Sequence, residues 1–316
     1  LVQRVPLVFG LLYRIGAIVS RIVRKSPVYY MNGLMAPYLD RYLREHQFDA
    51  IVMPHLFPAE TITYMKRKGM ELPLTVAVAT DYTCIPFWGE TECDYYVIPS
   101  EKHRRSFTRG HIRAEQLLPY GIPVSPKLSQ TCTRRQARER LHITHERPIY
   151  LVVGGSMGAG QMQTLVRVLL RMKRQQDDVI VVCGSNRKVR KKMERHFKGR
   201  EDLTIIGRTD QMPDYLRACD VLFTKPGGLT STEAAVAEIP MVHTAPIPGC
   251  ETVNRRYFRK QGMSVSGADA IAQVAAGIRL MEQEPRREAM KRQQGTWISK
   301  HAAEDICRFL KEATGK

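Results

Sequence analysis

The sequence predicts an α/β protein made of two parallel-sheet domains in tandem. Three observations lead there. From Phe48 onward, short apolar runs alternate with helical patterns, the mark of βαβ units with right-handed crossovers. The alternation breaks at a polar stretch over residues 123–140 and then begins again. A length of 316 residues, at about 150 per domain, suits two domains and buries enough surface to stand without disulfides.

The elements follow in order. Residues 1–39 contain no acid but five basic side chains, Arg4, Arg14, Arg21, Arg24 and Lys25. After Pro6, the residues Leu7, Val8, Leu11, Leu12, Ile15, Ile18, Val19, Ile22 and Val23 share one helical face, with Arg14, Arg21, Arg24 and Lys25 beside it. Such a helix lies either in a membrane interface, its cations near lipid phosphates, or on a core with a solvated basic edge. Strands are expected at 50–54, 74–78, 95–99 and 116–119. The stretch 123–140 reads as a linker leading into a helix. Strands of the second domain are expected at 149–153, 179–182, 203–206, 221–224, 241–243 and 264–265, and a helix over 299–313.

Composition excludes several classes. With 43% hydrophobic and 25% charged residues the chain is not disordered, and no run of 18 uncharged apolar residues exists to cross a membrane. Seven cysteines are scattered without a C-x-x-C pair, against a disulfide framework or a zinc site and for a reducing compartment. The net charge of +18 asks for an anionic partner: nucleic acid, membrane surface or phosphorylated substrate. Nucleic acid is disfavoured, because the basic residues are not interleaved with aromatics and no RNA or DNA motif occurs.

In open parallel sheets ligands sit beyond the carboxyl ends of strands. There the second domain carries its glycines. Gly154, Gly155, Ser156 and Met157 lie between a strand and a helix, where backbone N–H groups and the helix dipole suit an anion. The pattern is neither a Walker loop nor G-x-G-x-x-G. Lys225, Gly227, Gly228, Leu229 and Thr230 open a second helix, and their N–H groups suit a diphosphate. Glu233, one turn in, can accept hydrogen bonds from ribose hydroxyls or simply complement the helix dipole. A third turn holds Glu251 and Asn254, suited to sugar hydroxyls, while Gly184, Asn186 and Gly207 follow two other strands. No D-x-D occurs, so neither a metal nor another cofactor is expected at the diphosphate.

These loops, G-G-S-x-G, K-x-G-G-x-T-x-x-E and P-x-P-G-x-E-x-x-N, resemble the nucleotide-sugar half of glycosyltransferase family 28. The resemblance covers roughly residues 20–300 and is nearest to processive diacylglycerol glucosyltransferases and monogalactosyldiacylglycerol synthases. It implies a GT-B fold: two Rossmann-like domains facing a cleft, with a C-terminal helix returning to the first. The expected division is 1–125 for an acceptor and membrane-side domain, 126–298 for the UDP-sugar domain and 299–316 for that helix. The family's opening strand and Gly-rich loop are expected to be missing from the first domain. Ile85, Cys250 and Val253 depart from the pattern of plant relatives, which bears on the choice of hexose.

The resemblance further implies an inverting transfer of glucose or galactose from a UDP-sugar to diacylglycerol. His55 or Asp81, each after a first-domain strand, would be the base, and Glu251 and Asn254 would hold the hexose. Arg14, Arg21, Arg24 and Lys25 would meet anionic lipid, placing the protein peripherally on the inner face of the cell membrane. Two alternatives stay open: N-acetylglucosamine transfer to a polyprenyl-linked peptidoglycan intermediate, and a non-catalytic UDP-sugar-binding chain.

Overall fold

The computed structural model describes residues 25–129, 132–154 and 162–316. The expected basic helix with Arg14, Arg21 and Arg24, and the loop residues Gly155, Ser156 and Met157, lie outside the described residues. The chain divides into two units. One takes Leu1–Pro123, Pro248–Cys250 and His301–Lys316; the other takes Val124–Ile247 and Glu251–Lys300.

The first unit begins with α1 (Pro27–Gly33) and α2 (Ala36–Glu45). Ser26 caps α1, its Oγ accepting the Tyr29 N–H at 3.4 Å, and Pro27 stands at the first helical position, where no donor is needed. Strand β1 (Ala50–Met53), helix α3 (Leu56–Arg67), β2 (Leu74–Val78), β3 (Tyr95–Val97), α4 (Arg104–Arg109) and β4 (Leu117–Leu118) follow. The four strands pair in parallel in the order β1-β2-β3-β4. Side chains alternate between the two faces of the sheet. Met53, Ala77 and Tyr96 pack under α3 through Ala59, Ile62 and Met65. Val76, Val78 and Val97 pack on Ile306 of the C-terminal helix, which spans Ala302–Thr314.

A carboxylate sits inside this unit. Glu60 of α3 is fully buried, and neither of its oxygens has a hydrogen-bond partner among the described residues. Burial, then the neighbouring Glu90 carboxylate, push its pKa up to about 8, against a smaller opposing pull from Arg67. Glu90 in turn accepts the Ser26 N–H at 2.6 Å.

The second unit starts with α5 (Pro126–Ser129) and α6 (Arg134–Arg140). The stretch expected as a linker is therefore part of a folded unit, and Arg138 is the reason. Its buried guanidinium donates to the carbonyls of Ala218, His145 and Arg147 at 2.9–3.2 Å and pairs with Asp220 at 3.3 Å.

Six parallel strands then form: β5 (Ile149–Val153), β6 (Asp178–Val182), β7 (Leu203–Ile206), β8 (Val221–Thr224), β9 (Met241–His243) and β10 (Val265–Ser266). Their order is β10-β9-β8-β5-β6-β7. Between them run α7 (Met162–Met172), α8 (Arg187–His196), α9 (Met212–Ala218), α10 (Gly228–Val236) and α11 (Cys250–Lys260). After β10 come α12 (Ala270–Glu282) and α13 (Glu284–Trp297), and the C-terminal helix is α14. Every residue of β5, β6 and β8 is buried, as expected of parallel strands covered on both faces.

Helix α12 reaches this sheet through Gly277, where a Cβ would lie 2.2 Å from the Phe223 ring. Gly277→Ala is therefore expected to cost about 2–3 kcal/mol by overpacking, read as a lower urea midpoint at unchanged slope. An unchanged midpoint would show that the Phe223 ring moves aside freely.

Candidate functional site

The chain builds β5, β6 and β7 in one direction, then returns to add β8, β9 and β10 on the other side of β5. The carboxyl ends of β5 and β8 are thus neighbours at the point where the strand order reverses, the place where ligands of open parallel sheets bind. A cavity of about 280 Å³ lies there. Gly154, Lys225, Thr244, Asp269 and Gln273 line it over an apolar floor that includes Val153 and Phe223.

Helix α10 starts beside Lys225 with no side-chain cap on Gly227 and no acid in its first turn. Its first N–H groups and the positive end of its dipole therefore stay available to an anion. Gly227 borders both Lys225 and Glu251: a Cβ there would be in ordinary contact, 3.9 Å from Lys225 Nζ and from Glu251 Oε1. Lys225 is ion-paired with Glu251, whose other oxygen accepts the Ile247 N–H at 2.8 Å. Asn254, fully buried, donates to the Pro226 carbonyl at 3.1 Å. The two side chains expected on the hexose thus tie the turn at 247–254 to the loop at 225–227. A carboxylate and an amide in such a turn serve backbone N–H and C=O groups as well as they serve sugar hydroxyls.

Glu233 is different. It is partly buried, burial raises its pKa, and its carboxylate has no side-chain partner among the described residues. A carboxylate withdrawn from water without a cation is poised for hydroxyl donors.

A group that the sequence reading missed stiffens α10 from behind. His243 at the end of β9 is fully buried, with Nε2 3.0 Å from Ser231 Oγ of α10 and Nδ1 3.0 Å from Ser264 Oγ. Burial, then the charge of Arg255, push its pKa down to about 3, so the ring is neutral and gives one donor and one acceptor to the two hydroxyls. The signal was a histidine closing an apolar strand, a position that demands buried partners.

The remaining predicted glycines do local work. Gly184 takes φ 61°, which only glycine adopts without strain, and Asn186 caps α8 by accepting the Val189 N–H at 3.1 Å. Gly207 makes room for the Arg190 guanidinium, 3.2 Å from where a Cβ would stand. None of these three residues lines the cavity. Leu229 is exposed at the start of α10, with Gly228 buried and Thr230 half-buried beside it.

In the first unit, the parallel register Met53↔Ala77 puts the loops after β1 and β2 at one sheet edge. His55 is exposed and caps α3, its Nδ1 accepting the Phe57 N–H at 3.2 Å. Asp81 is half-buried after β2. The sequence reading missed His103, buried after β3, 2.8 Å from Ser100 Oγ and edge-on to Tyr82 at 5.6 Å. Chiefly by burial, its pKa falls to about 4. Among the described residues no cluster of three His, Cys, Asp or Glu could hold a metal, and no helix is long and apolar enough to cross a membrane.

Two Rossmann-like parallel sheets, the second with a glycine-opened helix at its topological switch, define the GT-B fold class. The model of the glycosyl transferases group 1 family matches residues 133–297, and the chain belongs to that family. The monogalactosyldiacylglycerol (MGDG) synthase model matches residues 2–124.

The chain is 28% identical over 254 residues to the processive diacylglycerol beta-glucosyltransferase of Staphylococcus saprophyticus, covering 78% of this chain and 62% of that protein. It thus spans about three fifths of that relative. Its fold is like that of S. aureus MnaA in a UDP co-structure, with TM-score 0.71, 12% identity and 92% and 82% of the two chains covered. Acinetobacter baumannii MurG is also similar, at TM-score 0.59, 15% identity and 90% and 79% coverage.

Proposed function

We propose that this protein transfers a hexose, glucose or galactose, from a UDP-sugar to diacylglycerol with inversion, working peripherally at an anionic membrane surface. The observation that carries the reading is the switch-point constellation: Lys225 beside the uncapped start of α10, with Glu233 one turn further and lacking a side-chain partner among the described residues. The diphosphate takes the N–H groups of Gly228, Leu229 and Thr230. Glu233 takes the ribose hydroxyls. Lys225, drawn toward the diphosphate, leaves Glu251 an oxygen for the hexose, while Asn254 keeps the turn in place. The relative's name supplies diacylglycerol and glucose as the chemistry to test first.

In the transfer, His55 or Asp81 takes the proton of the diacylglycerol hydroxyl as its oxygen attacks the anomeric carbon and UDP leaves with the bonding pair. Helix start and cation balance the charge that grows on the diphosphate, so this chemistry needs no metal. Lys25, exposed just before α1, continues the basic set of Arg14, Arg21 and Arg24 toward anionic lipid.

The test is turnover. The chain, with vesicles of anionic phospholipid containing diacylglycerol, is expected to release UDP from UDP-glucose or UDP-galactose and to form the glycolipid. UDP binding by calorimetry without release from either donor would leave a binding protein and end the transferase reading.

A further inference from the structure

The second unit holds another cavity, of about 230 Å³, at the other end of its sheet. Asp220 and Pro240, which immediately precede β8 and β9, line it, whereas Lys225 and Thr244, which follow those strands, line the first. The two cavities share no lining residue, and the length of β8 lies between them. Ligands of open parallel sheets gather at the carboxyl ends of strands, so the fold alone gives no reason for a charged cavity at the amino ends.

Four cations border it: Arg134 of α6, Arg217 of α9, and Arg287 and Lys291 of α13. Arg217, Arg287 and Lys291 are half-buried there instead of spreading into solvent. Two of the guanidiniums are oriented by carbonyls. Arg217 donates to the Cys132 carbonyl at 3.3 Å and to that of Leu128. Arg287 donates to the Leu280 carbonyl at 2.9 Å and to that of Met281, at the end of α12, and forms no ion pair among the described residues. A carbonyl fixes a guanidinium in place without cancelling its charge. The two carboxylates on the wall are already engaged. Asp220 takes Arg134 at 2.9 Å, Arg138 at 3.3 Å and the Ile149 N–H at 2.8 Å, while Glu238 pairs with Lys300 at 2.5 Å. Like charges brought together in this way cost the folded state energy unless an anion enters among them.

We propose that this cavity is a second anion site, which takes a small soluble phosphate dianion between Arg217, Arg287 and Lys291. Charge, size and donor geometry agree. Among the lining side chains, four cations less two carboxylates leave two positive charges, which a phosphate dianion balances. A volume of about 230 Å³ lies below the roughly 300–1,000 Å³ of pockets that enclose larger organic ligands, so the occupant is inorganic phosphate or the monoester of a small molecule. Guanidinium N–H groups match phosphate oxygens in pairs, and the Lys291 ammonium adds a compact charge beside them. The site does not depend on the transferase reading.

Calorimetry of the full chain at pH 8 tests this, with inorganic phosphate and glycerol 3-phosphate as the two probes and saturating UDP present to occupy the start of α10. One equivalent is expected to bind, the tighter probe telling free phosphate from monoester. Arg287→Gln with Lys291→Gln is expected to weaken binding by about tenfold or more. Lys291→Gln alone, which leaves the Arg287 contacts with α12 intact, should weaken it by a smaller factor with the fold unchanged. Phosphate should raise the melting temperature of the parent and not that of the double variant. Lys188→Gln with Lys191→Gln, which removes the same charge from exposed positions on α8, should leave binding unchanged.

No saturable binding of either probe at millimolar concentration would overturn the proposal. Full affinity in both Lys291 variants would overturn it too. So would equal weakening by the α8 variant, which would reduce the effect to diffuse attraction by a chain of net charge +18. Displacement of phosphate by UDP would move the anion to α10 and end the proposal as well. A chain whose phosphate binding depends on Arg287 and Lys291 but which binds no UDP would sink the donor reading of the first cavity and leave this site standing.

Discussion

Glu233→Ala is expected to raise the KM for the UDP-sugar by roughly 10–100-fold, the loss of one or two hydrogen bonds to a charged acceptor. The unfolding midpoint should stay level or rise, because a half-desolvated carboxylate without a side-chain partner among the described residues costs the folded state something and contributes no ion pair there. That pairing of effects separates a binding role from a structural one: a residue that merely complements the helix dipole would lose stability on removal and leave KM alone. Glu233→Gln, which keeps one acceptor oxygen, should fall between. Since burial raises the pKa of Glu233, donor affinity should weaken toward acid pH sooner than for an ordinary glutamate. Steady-state KM against each donor, with a thermal melt of the same preparation, checks both halves. An unchanged KM removes Glu233 from the ribose.

Glu60→Met is expected to stabilise the protein on the order of 3 kcal/mol at pH 8, with a smaller gain near pH 5. In the folded chain Glu60 holds its proton up to about pH 8, whereas in the unfolded chain it ionises near its ordinary value of 4.5. Below 4.5 both states are protonated and Glu60 costs only its missing hydrogen bonds. As pH rises from there to 8 the unfolded chain gives up a proton that the folded chain retains, so stability falls. Methionine has similar bulk and nothing to ionise, and it removes two buried oxygens that lack partners among the described residues. Urea melts between pH 5 and 8.5 should show a declining parent and a flatter variant. A parent with no decline over that range would mean that Glu60 reaches water or a cation.

Much of the fold was written in local pattern. Ile149–Val153 and Val221–Thr224 are continuous β-branched or apolar runs stopped by Pro148, Gly154, Asp220 and Lys225, and the strands end at those residues. Strand β3 ends at Val97, sooner than its apolar run, because Pro99 cannot donate to a ladder.

What escaped was decided by partners far away in sequence. Arg138 lies in a polar stretch, yet its hydrogen bonds go to carbonyls and a carboxylate some eighty positions on. The pairing of Glu251 with Lys225, 26 positions away, has no local signature either. His243, Ser231 and Ser264 are unremarkable singly and form a unit only in the fold. For the site, chemistry-bearing loops were legible as glycine, lysine and carboxylate at strand ends. Which of them border one cavity depended on strand order, and strand order has no local signature.

The first unit is closed by residues that the ribosome makes after everything else described here. Val76, Val78 and Val97 are covered by Ile306 of α14, while all of β5 to β10 is synthesised in between. During translation, then, the second unit can complete its core while the first still shows one bare valine face to solvent and chaperones. A chain cut short ahead of α14 is injured in the unit it made first.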